Sequence, residues 1–142
     1  MAEDRYRLAP VRDARERDER TRTSELAGAI ADAKGADALL VAARARTEAS
    51  RLAVTAALAA RDATRTAAQR ALADRFVARR RRELIDARTR EIEAEAARSA
   101  HQGVVDAARV TLARTRADRE VIERHFARWR EQRKKLADRR ED

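Results

Sequence analysis

The 142-residue chain contains almost nothing that would stop an α-helix. Its only proline is Pro10, and its three glycines are Gly28, Gly35 and Gly103. Proline is tolerated in the first turn of a helix, where its missing N–H has no partner in any case. A lone glycine costs a helix about 1 kcal/mol relative to alanine. We therefore expect helix from about Val11 almost to the C-terminus, apart from any turn that the chain needs to fold back on itself.

Composition excludes most globular classes. Charged residues make up 42% of the chain and aromatic residues 3%, and cysteine is absent. A chain rich in Ala, Arg, Glu and Leu with few breakers is typical of a coiled coil. The lack of cysteine excludes a disulfide framework and thiolate metal sites. No apolar run approaches the ~20 residues that span a membrane, so we expect a cytoplasmic protein without membrane insertion.

Small and apolar residues recur in steps of three and four in both halves of the chain. In the second half the stripe is Val105, Ala108, Leu112, Thr115, Arg119, Ile122, Phe126, Trp129, Arg133 and Leu136, with Arg119 and Arg133 as polar interruptions. In the first half they are Leu26, Ile30, Ala33, Ala36, Leu40, Ala43, Thr47, Ser50, Val54 and Ala57. This spacing is that of a coiled coil, in which a second helix packs on each stripe and removes it from water. We predict an all-α, long antiparallel two-helix coiled-coil hairpin in which the two stripes form one seam, as a single domain over residues 1–142.

The turn of the hairpin is predicted near the middle of the chain. Thr66-Ala67-Ala68-Gln69 matches a capping box, in which a Thr and a Gln side chain satisfy two free N–H groups of a helix start. The predicted bounds are about 11–62 for helix 1, about 62–68 for the turn and about 66–139 for helix 2. The alternative is a break at residues 99–103, near Gly103, which would give three unequal helices.

The net charge of +9 is unevenly distributed. Residues 61–90 carry ten basic and four acidic side chains, and the arginines are densest at Arg79–Arg82. Four consecutive arginines point all round a helix, and we call this segment the basic collar. It is either a solvated surface or a docking site for an acidic partner. Nucleic acid is a weaker alternative, because no aromatic residues for base stacking alternate with these arginines.

The sequence offers no convergent set of catalytic or metal-binding groups. His101 and His125 are 24 residues apart and lie outside any metal-ligand spacing. Glu91, Glu93 and Glu95 alternate along a helix, so they point to different faces. No phosphate-binding loop or dinucleotide fingerprint occurs. We therefore expect no enzyme activity, no catalytic, cofactor or metal site, and no cofactor.

The two ends of the chain carry a resemblance. The segment from Tyr6 to Arg12, YRLAPVR, leads into a charged helix, and the segment from Arg119 to Arg130 reads REVIERHFARWR. With the length, the basic charge and the lack of breakers, the chain resembles the central stalk proteins of type III secretion systems, the flagellar FliJ and injectisome SctO (YscO-like) family. The IERHFARWR segment is closer to the injectisome branch.

The resemblance implies an antiparallel two-helix coiled coil, similar in shape to the rotary shaft of F-type ATPases. It implies a stalk that enters the pore of the hexameric export ATPase, promotes assembly and ATP hydrolysis, and links the ring to the cytoplasmic domain of the export gate. Secretion chaperones are further implied partners. Such a protein would lie in the cytoplasm at the cytoplasmic face of a membrane secretion apparatus, and we expect it to be a monomer when isolated.

By analogy with this family, the resemblance implies two contact surfaces, assigned by position along the hairpin. The ATPase-ring contacts implied are Arg5, Arg7, Arg12, Arg124, Arg128, Arg130 and Arg133. The export-gate contacts implied are Arg75, Phe76, Arg79, Arg80, Arg81 and Arg82. Phe76 would otherwise pack in the seam near the turn, and Phe126 and Trp129 are expected to be seam residues that close the open end. Two other functions remain: a generic coiled-coil adaptor or homo-oligomeric scaffold, and a basic nucleic-acid-binding coiled coil.

Overall fold

The computed structural model describes residues 5–141, which form two long α-helices packed against each other, consistent with a helical hairpin. Helix α1 runs Ala9–Asp62 and helix α2 runs Ala67–Glu141. These helices account for 94% of the described residues, which include no strand. Helix α2 passes through Gly103 without interruption, so the three-helix alternative is wrong.

The first turn of α1 starts two residues before the predicted position. The N–H of Ala9 donates to the carbonyl of Tyr6 at 3.1 Å, and the N–H of Arg12 donates to the carbonyl of Leu8 at 3.0 Å. Pro10 therefore lies where a helix does not need its N–H. No helix in the range 5–141 is both long and apolar enough to cross a lipid bilayer.

Residues 63–66 connect the helices, and hydrogen bonds define both ends of the connection. The hydroxyl of Thr64 donates to the carbonyl of Arg61 at 2.7 Å, at the end of α1. The hydroxyl of Thr66 accepts a hydrogen bond from the N–H of Gln69 at 3.2 Å, as the capping box predicts. The Gln69 side chain accepts from the N–H of Arg65 at 3.2 Å, one residue earlier than in the usual box.

Nearly all the predicted seam residues are shielded from solvent. All ten residues predicted for α1 are buried or half-buried, and so are nine of the ten predicted for α2. The exception is Leu136, which is 48% exposed and lies two turns beyond Trp129, where Tyr6 packs. Ala29, only 8% exposed, lies deeper in the seam than the predicted Ile30, because it is seven residues from the buried Ala36.

The chain divides into two compact units, each containing a segment of α1 and the segment of α2 that packs on it. The terminal unit comprises Met1–Ile30 and Val104–Asp142, as far as the structure describes them. The loop unit comprises Ala31–Gly103 and contains the connection between the helices.

Candidate functional site

An aromatic cluster of Tyr6, His125, Phe126 and Trp129 lies in the terminal unit. Tyr6 is only 7% exposed, and its ring centroid is 5.0 Å from that of Phe126 and 5.3 Å from that of Trp129. Its hydroxyl and Nδ1 of His125 are 2.8 Å apart and share a hydrogen bond. Phe126 and Trp129 are half-buried seam residues, which confirms that expectation. The structure thus brings together the aromatic residues of the two end segments.

Arg12 joins the aromatic cluster to an ion pair. Its Nε donates to Oε1 of Glu123 at 2.7 Å, and its guanidinium carbon lies 4.4 Å from the ring centroid of Phe126, within range of a cation–π interaction. The hydrogen bond from Arg12 lowers the pKa of Glu123 below its ordinary value of 4.5, and the same contact raises the pKa of Arg12. Arg12 therefore has a structural role in the terminal unit.

Glu19 pairs with two arginines of α2. Its carboxylate accepts a hydrogen bond from Nη1 of Arg119 at 2.8 Å and another from Nε of Arg116 at 3.3 Å. The hydrogen bond from Arg119 is the main cause of the lowered pKa of Glu19. Arg119, which interrupts the apolar stripe in the sequence, is thus paired in the folded chain. A similar pair joins Arg15 and Asp118 at 3.4 Å.

The seven implied ring-contact residues all lie in the terminal unit, but their exposure differs. Five are exposed, and two are half-buried, namely Arg12 and Arg133. Arg124 forms an ion pair with Glu120 one turn earlier. The guanidinium carbon of Arg130 lies 5.9 Å from the ring centroid of Phe126. The exposed members, available to a partner, are Arg5, Arg7, Arg124, Arg128 and Arg130.

In the loop unit, two arginines of the basic collar lie against one aromatic ring. Phe76 is 38% exposed and lies beside the seam, whereas its neighbour Val77 is 3% exposed and occupies the seam. The expectation that Phe76 packs in the seam is therefore wrong, because the seven-residue spacing selects Val77. The guanidinium carbons of Arg79 and Arg80 lie 5.1 and 4.9 Å from the Phe76 ring centroid.

The other gate-contact residues implied by the resemblance are mostly exposed. Arg75, Arg81 and Arg82 are exposed, whereas Arg80 is half-buried at a seam position and forms an ion pair with Glu83 at 2.7 Å. Leu72, which the sequence analysis does not single out, is 66% exposed and lines a surface hollow together with Arg75, Phe76, Arg79 and Arg82. Its spacing of four residues from Phe76 is the signal that places both on one helix face.

The described residues offer no obvious centre for chemistry. They contain no group of three or more His, Asp or Glu side chains that could hold a metal ion. His125 is bonded to Tyr6, and His101 is a half-buried seam residue. The features that the described residues do show are the aromatic cluster, the exposed arginines of the terminal unit and the basic collar.

No protein-family model matches the chain, and no curated protein or solved structure matches it at a significant level. Functional conclusions accordingly depend on the aromatic cluster, the exposed arginines and the basic collar, together with the resemblance of the chain ends.

Proposed function

We propose that this chain is the central stalk of a type III secretion apparatus, folded as an antiparallel two-helix coiled coil. In this role the terminal unit enters the pore of a hexameric export ATPase and promotes its assembly and activity. The loop unit couples the ring to the cytoplasmic domain of the export gate. The observation that carries the proposal is the aromatic cluster, in which Tyr6 of one end segment packs against His125, Phe126 and Trp129 of the other.

The exposed arginines of the terminal unit support the ring contact. An exposed ion pair contributes only ~0–1 kcal/mol, so several of them hold a partner without locking it. A stalk inside a ring needs this property, because its contacts must break and reform as the ring subunits change state. Arg124 and Arg128 are both exposed on α2, one turn apart, and could face acidic groups of a ring.

The basic collar supports the contact with the gate. Phe76 offers an apolar ring, and the arginines around it attract carboxylates. An acidic segment that presents one apolar side chain would match this combination. The same chemistry suits a secretion chaperone, so that escort of chaperones is part of the proposed role.

The test is stimulation of the cognate export ATPase by the purified chain. We expect turnover to rise when the chain is added to the folded ATPase. Replacing Arg124→Glu and Arg128→Glu together should raise the half-stimulating concentration at least about fivefold, since two contacts of ~0.5 kcal/mol each are lost. The matched control replaces Arg109→Glu and Arg114→Glu, which are exposed on the same helix and outside the proposed contact.

Two results would count against the stalk. One is the absence of stimulation with both proteins folded and the chain in excess. The other is equal weakening by the control pair, which would show that net charge alone matters. In either case the coiled-coil adaptor becomes the better description.

A further inference from the structure

The two sides of the seam in the loop unit differ in whether ion pairs join the two helices. On one side, ion pairs cross between the helices: Asp37 with Arg98 at 2.7 Å, and Arg44 with Glu95 at 3.3 Å and Glu91 at 3.8 Å. Glu91 and Glu95 therefore lie on one face of α2, one turn apart, and the expectation that they point to different faces is wrong. The other side, which we call the open flank, consists of positions spaced by seven residues on each helix. They are Leu39, Arg46, Ala53 and Ala60 on α1 and Phe76, Glu83, Arg90 and Ala97 on α2. Within the described part of the chain, none of these eight residues forms an ion pair with the other helix.

A groove follows the open flank. It consists of two adjoining hollows of about 470 and 300 Å³, which share Arg46, Ala87 and Arg90 as lining residues. The larger hollow is further lined by Leu39, Ala42 and Ala43, and the smaller by Ser50, Glu83 and Asp86. Alanine side chains at the base of a groove allow another helix to approach closely. Leu39 at one end is 69% exposed, so a large apolar side chain is left in water.

We propose that, unlike the isolated monomer expected from the resemblance, this chain self-associates: the open flank binds the open flank of a second copy of this chain around a two-fold axis. Along α2 this flank presents an aromatic, an acidic, a basic and a small residue at equal spacing: Phe76, Glu83, Arg90 and Ala97. A two-fold axis halfway between Glu83 and Arg90 places each Arg90 opposite the other copy's Glu83. The same axis places each Phe76 opposite the other copy's Ala97.

Helix α1 packs against the other copy's α1 around the same axis. Asp37 binds Arg98, so Leu39 lies at the Ala97 end of the flank, level with the other copy's Phe76 and diagonal to it. Covering these two side chains removes apolar surface from water.

Charges on the two flanks also match. Arg46 and Arg90 line the same two hollows and face the carboxylates of the other copy's Glu83 and Asp86. If the two copies instead packed with their α2 helices parallel and in register, each Arg90 would lie opposite the other copy's Arg90. Like-charge repulsion disfavours that arrangement. The two-fold arrangement is isologous, so each contact is made twice.

Mass as a function of concentration tests the surface directly. In sedimentation equilibrium of the full chain, the average mass should rise with concentration from 16.0 kDa toward twice that value. Leu39→Glu should weaken the association at least tenfold, since it buries a charge against Phe76. The matched control is Leu52→Glu, because Leu52 is 62% exposed on the outer face of α1. A chain that stays at 16.0 kDa at every concentration overturns the proposal, as does a Leu39→Glu variant that associates like the parent.

A charge exchange tests the orientation of the two copies. Arg90→Glu and Glu83→Arg should each weaken association about tenfold, because each places like charges opposite one another. The double variant should recover most of the loss, since residue 90 of each copy again faces an opposite charge at residue 83. Failure of the double variant to recover contradicts the two-fold axis, provided that circular dichroism shows all three variants to be equally helical.

Cross-linking locates the axis independently. The chain has no cysteine, so a single introduced thiol is unambiguous. Ala49 is exposed beside Ser50, which lines the groove near the proposed axis, and Ala49→Cys should form a disulfide-linked dimer on oxidation. Glu48→Cys, at the next residue and away from the groove, should not. Equal cross-linking of both variants indicates random collision and excludes the proposed surface. Stimulation of the ATPase is measured separately, so failure of the stalk proposal leaves this inference intact.

Discussion

The terminal unit and the loop unit use the same seven-residue spacing with different side chains. The terminal unit places aromatic rings and paired charges in its seam, as in the Tyr6 cluster and the ion pair between Glu19 and Arg119. The loop unit buries mostly small residues, with Leu40 and Val77 as the larger members at 3% exposure each. Aromatic packing therefore distinguishes the terminal unit, whereas short side chains fill the seam of the loop unit and ion pairs such as Asp37 with Arg98 join its helices beside the seam.

This difference has a consequence for partners. Where the seam holds large rings and ion pairs, the side chains that border it are engaged within the chain, as for Arg12 between Glu123 and Phe126, while arginines farther from the seam stay exposed. Where the seam holds alanine, the helices leave a groove beside Ala87 and exposed apolar side chains such as Leu39. Small seam residues bury little area per layer, so covering the groove with a second copy would add burial that the loop unit lacks.

The largest effect is expected from removing the ring that holds the aromatic cluster together. Tyr6→Ala should lower the free energy of unfolding by about 3 kcal/mol, because a nearly buried aromatic ring loses three ring neighbours. Trp129 is the only tryptophan, so its fluorescence in urea reports on the terminal unit alone. Tyr6→Phe, which loses only the hydrogen bond to His125, should lower it by about 1 kcal/mol.

Leu40→Ala is the matched change in the loop unit, since Leu40 is buried to a similar degree. Amide hydrogen exchange should show lost protection mainly in the terminal unit for Tyr6→Ala and mainly in the loop unit for Leu40→Ala. If both variants reduce protection equally in both units, the two units unfold together, and the difference between their seam residues does not give them separate stabilities.

Much of the fold is predictable because the lack of helix breakers, the capping box and the seven-residue spacing all indicate the same two helices. The lack of breakers predicts both helices, and the capping box at Thr66 predicts where α2 begins. The error at Phe76 occurs where size and spacing disagree: Phe76 is the larger residue, but Val77 has the spacing that places it in the seam. Ile30 is half-buried as predicted, while its smaller neighbour Ala29 is buried more deeply. In this chain, periodicity decides burial more reliably than hydrophobicity of the single residue.

The contacts between the helices are less predictable. Glu19 pairs with residues 97 and 100 positions away in the sequence, Arg116 and Arg119. Such a pairing depends on the register of the two helices, which in turn depends on the exact length of the connection at residues 63–66. A shift of a few residues in that turn would give Glu19 other neighbours, so the ion pairs could be identified only from the structure.

A smaller effect is expected at the connection, which lies in the loop unit. Thr66→Ala should lower the free energy of unfolding by about 1 kcal/mol, because the N–H of Gln69 loses its acceptor. Thr66→Ser should retain stability, since a serine hydroxyl accepts the same hydrogen bond. Gln69→Ala should have a smaller effect, because water can replace its bond to the exposed Arg65. Urea titration followed by circular dichroism measures all three, and a larger loss for Gln69→Ala than for Thr66→Ala would contradict this role of Thr66.

The smallest effect is expected from acidification, which protonates the arginine-paired carboxylates of the terminal unit. Glu19 and Glu123, both in the terminal unit, have pKa values lowered below 4.5 by hydrogen bonds from Arg119 and Arg12. A carboxylate with a lowered pKa in the folded state stabilises the fold fully above the pKa of the unfolded chain. That stabilisation is lost as the pH falls through the lower, folded value.

The urea midpoint from Trp129 fluorescence should therefore be steady above about pH 5 and fall below about pH 4.5. In the Glu19→Gln and Glu123→Gln double variant this decline should be shallower, and the two midpoints should converge at low pH, where the parent's carboxyls are protonated as well. Midpoints that stay parallel down to the lowest pH would show that these two ion pairs contribute nothing to the stability of the terminal unit.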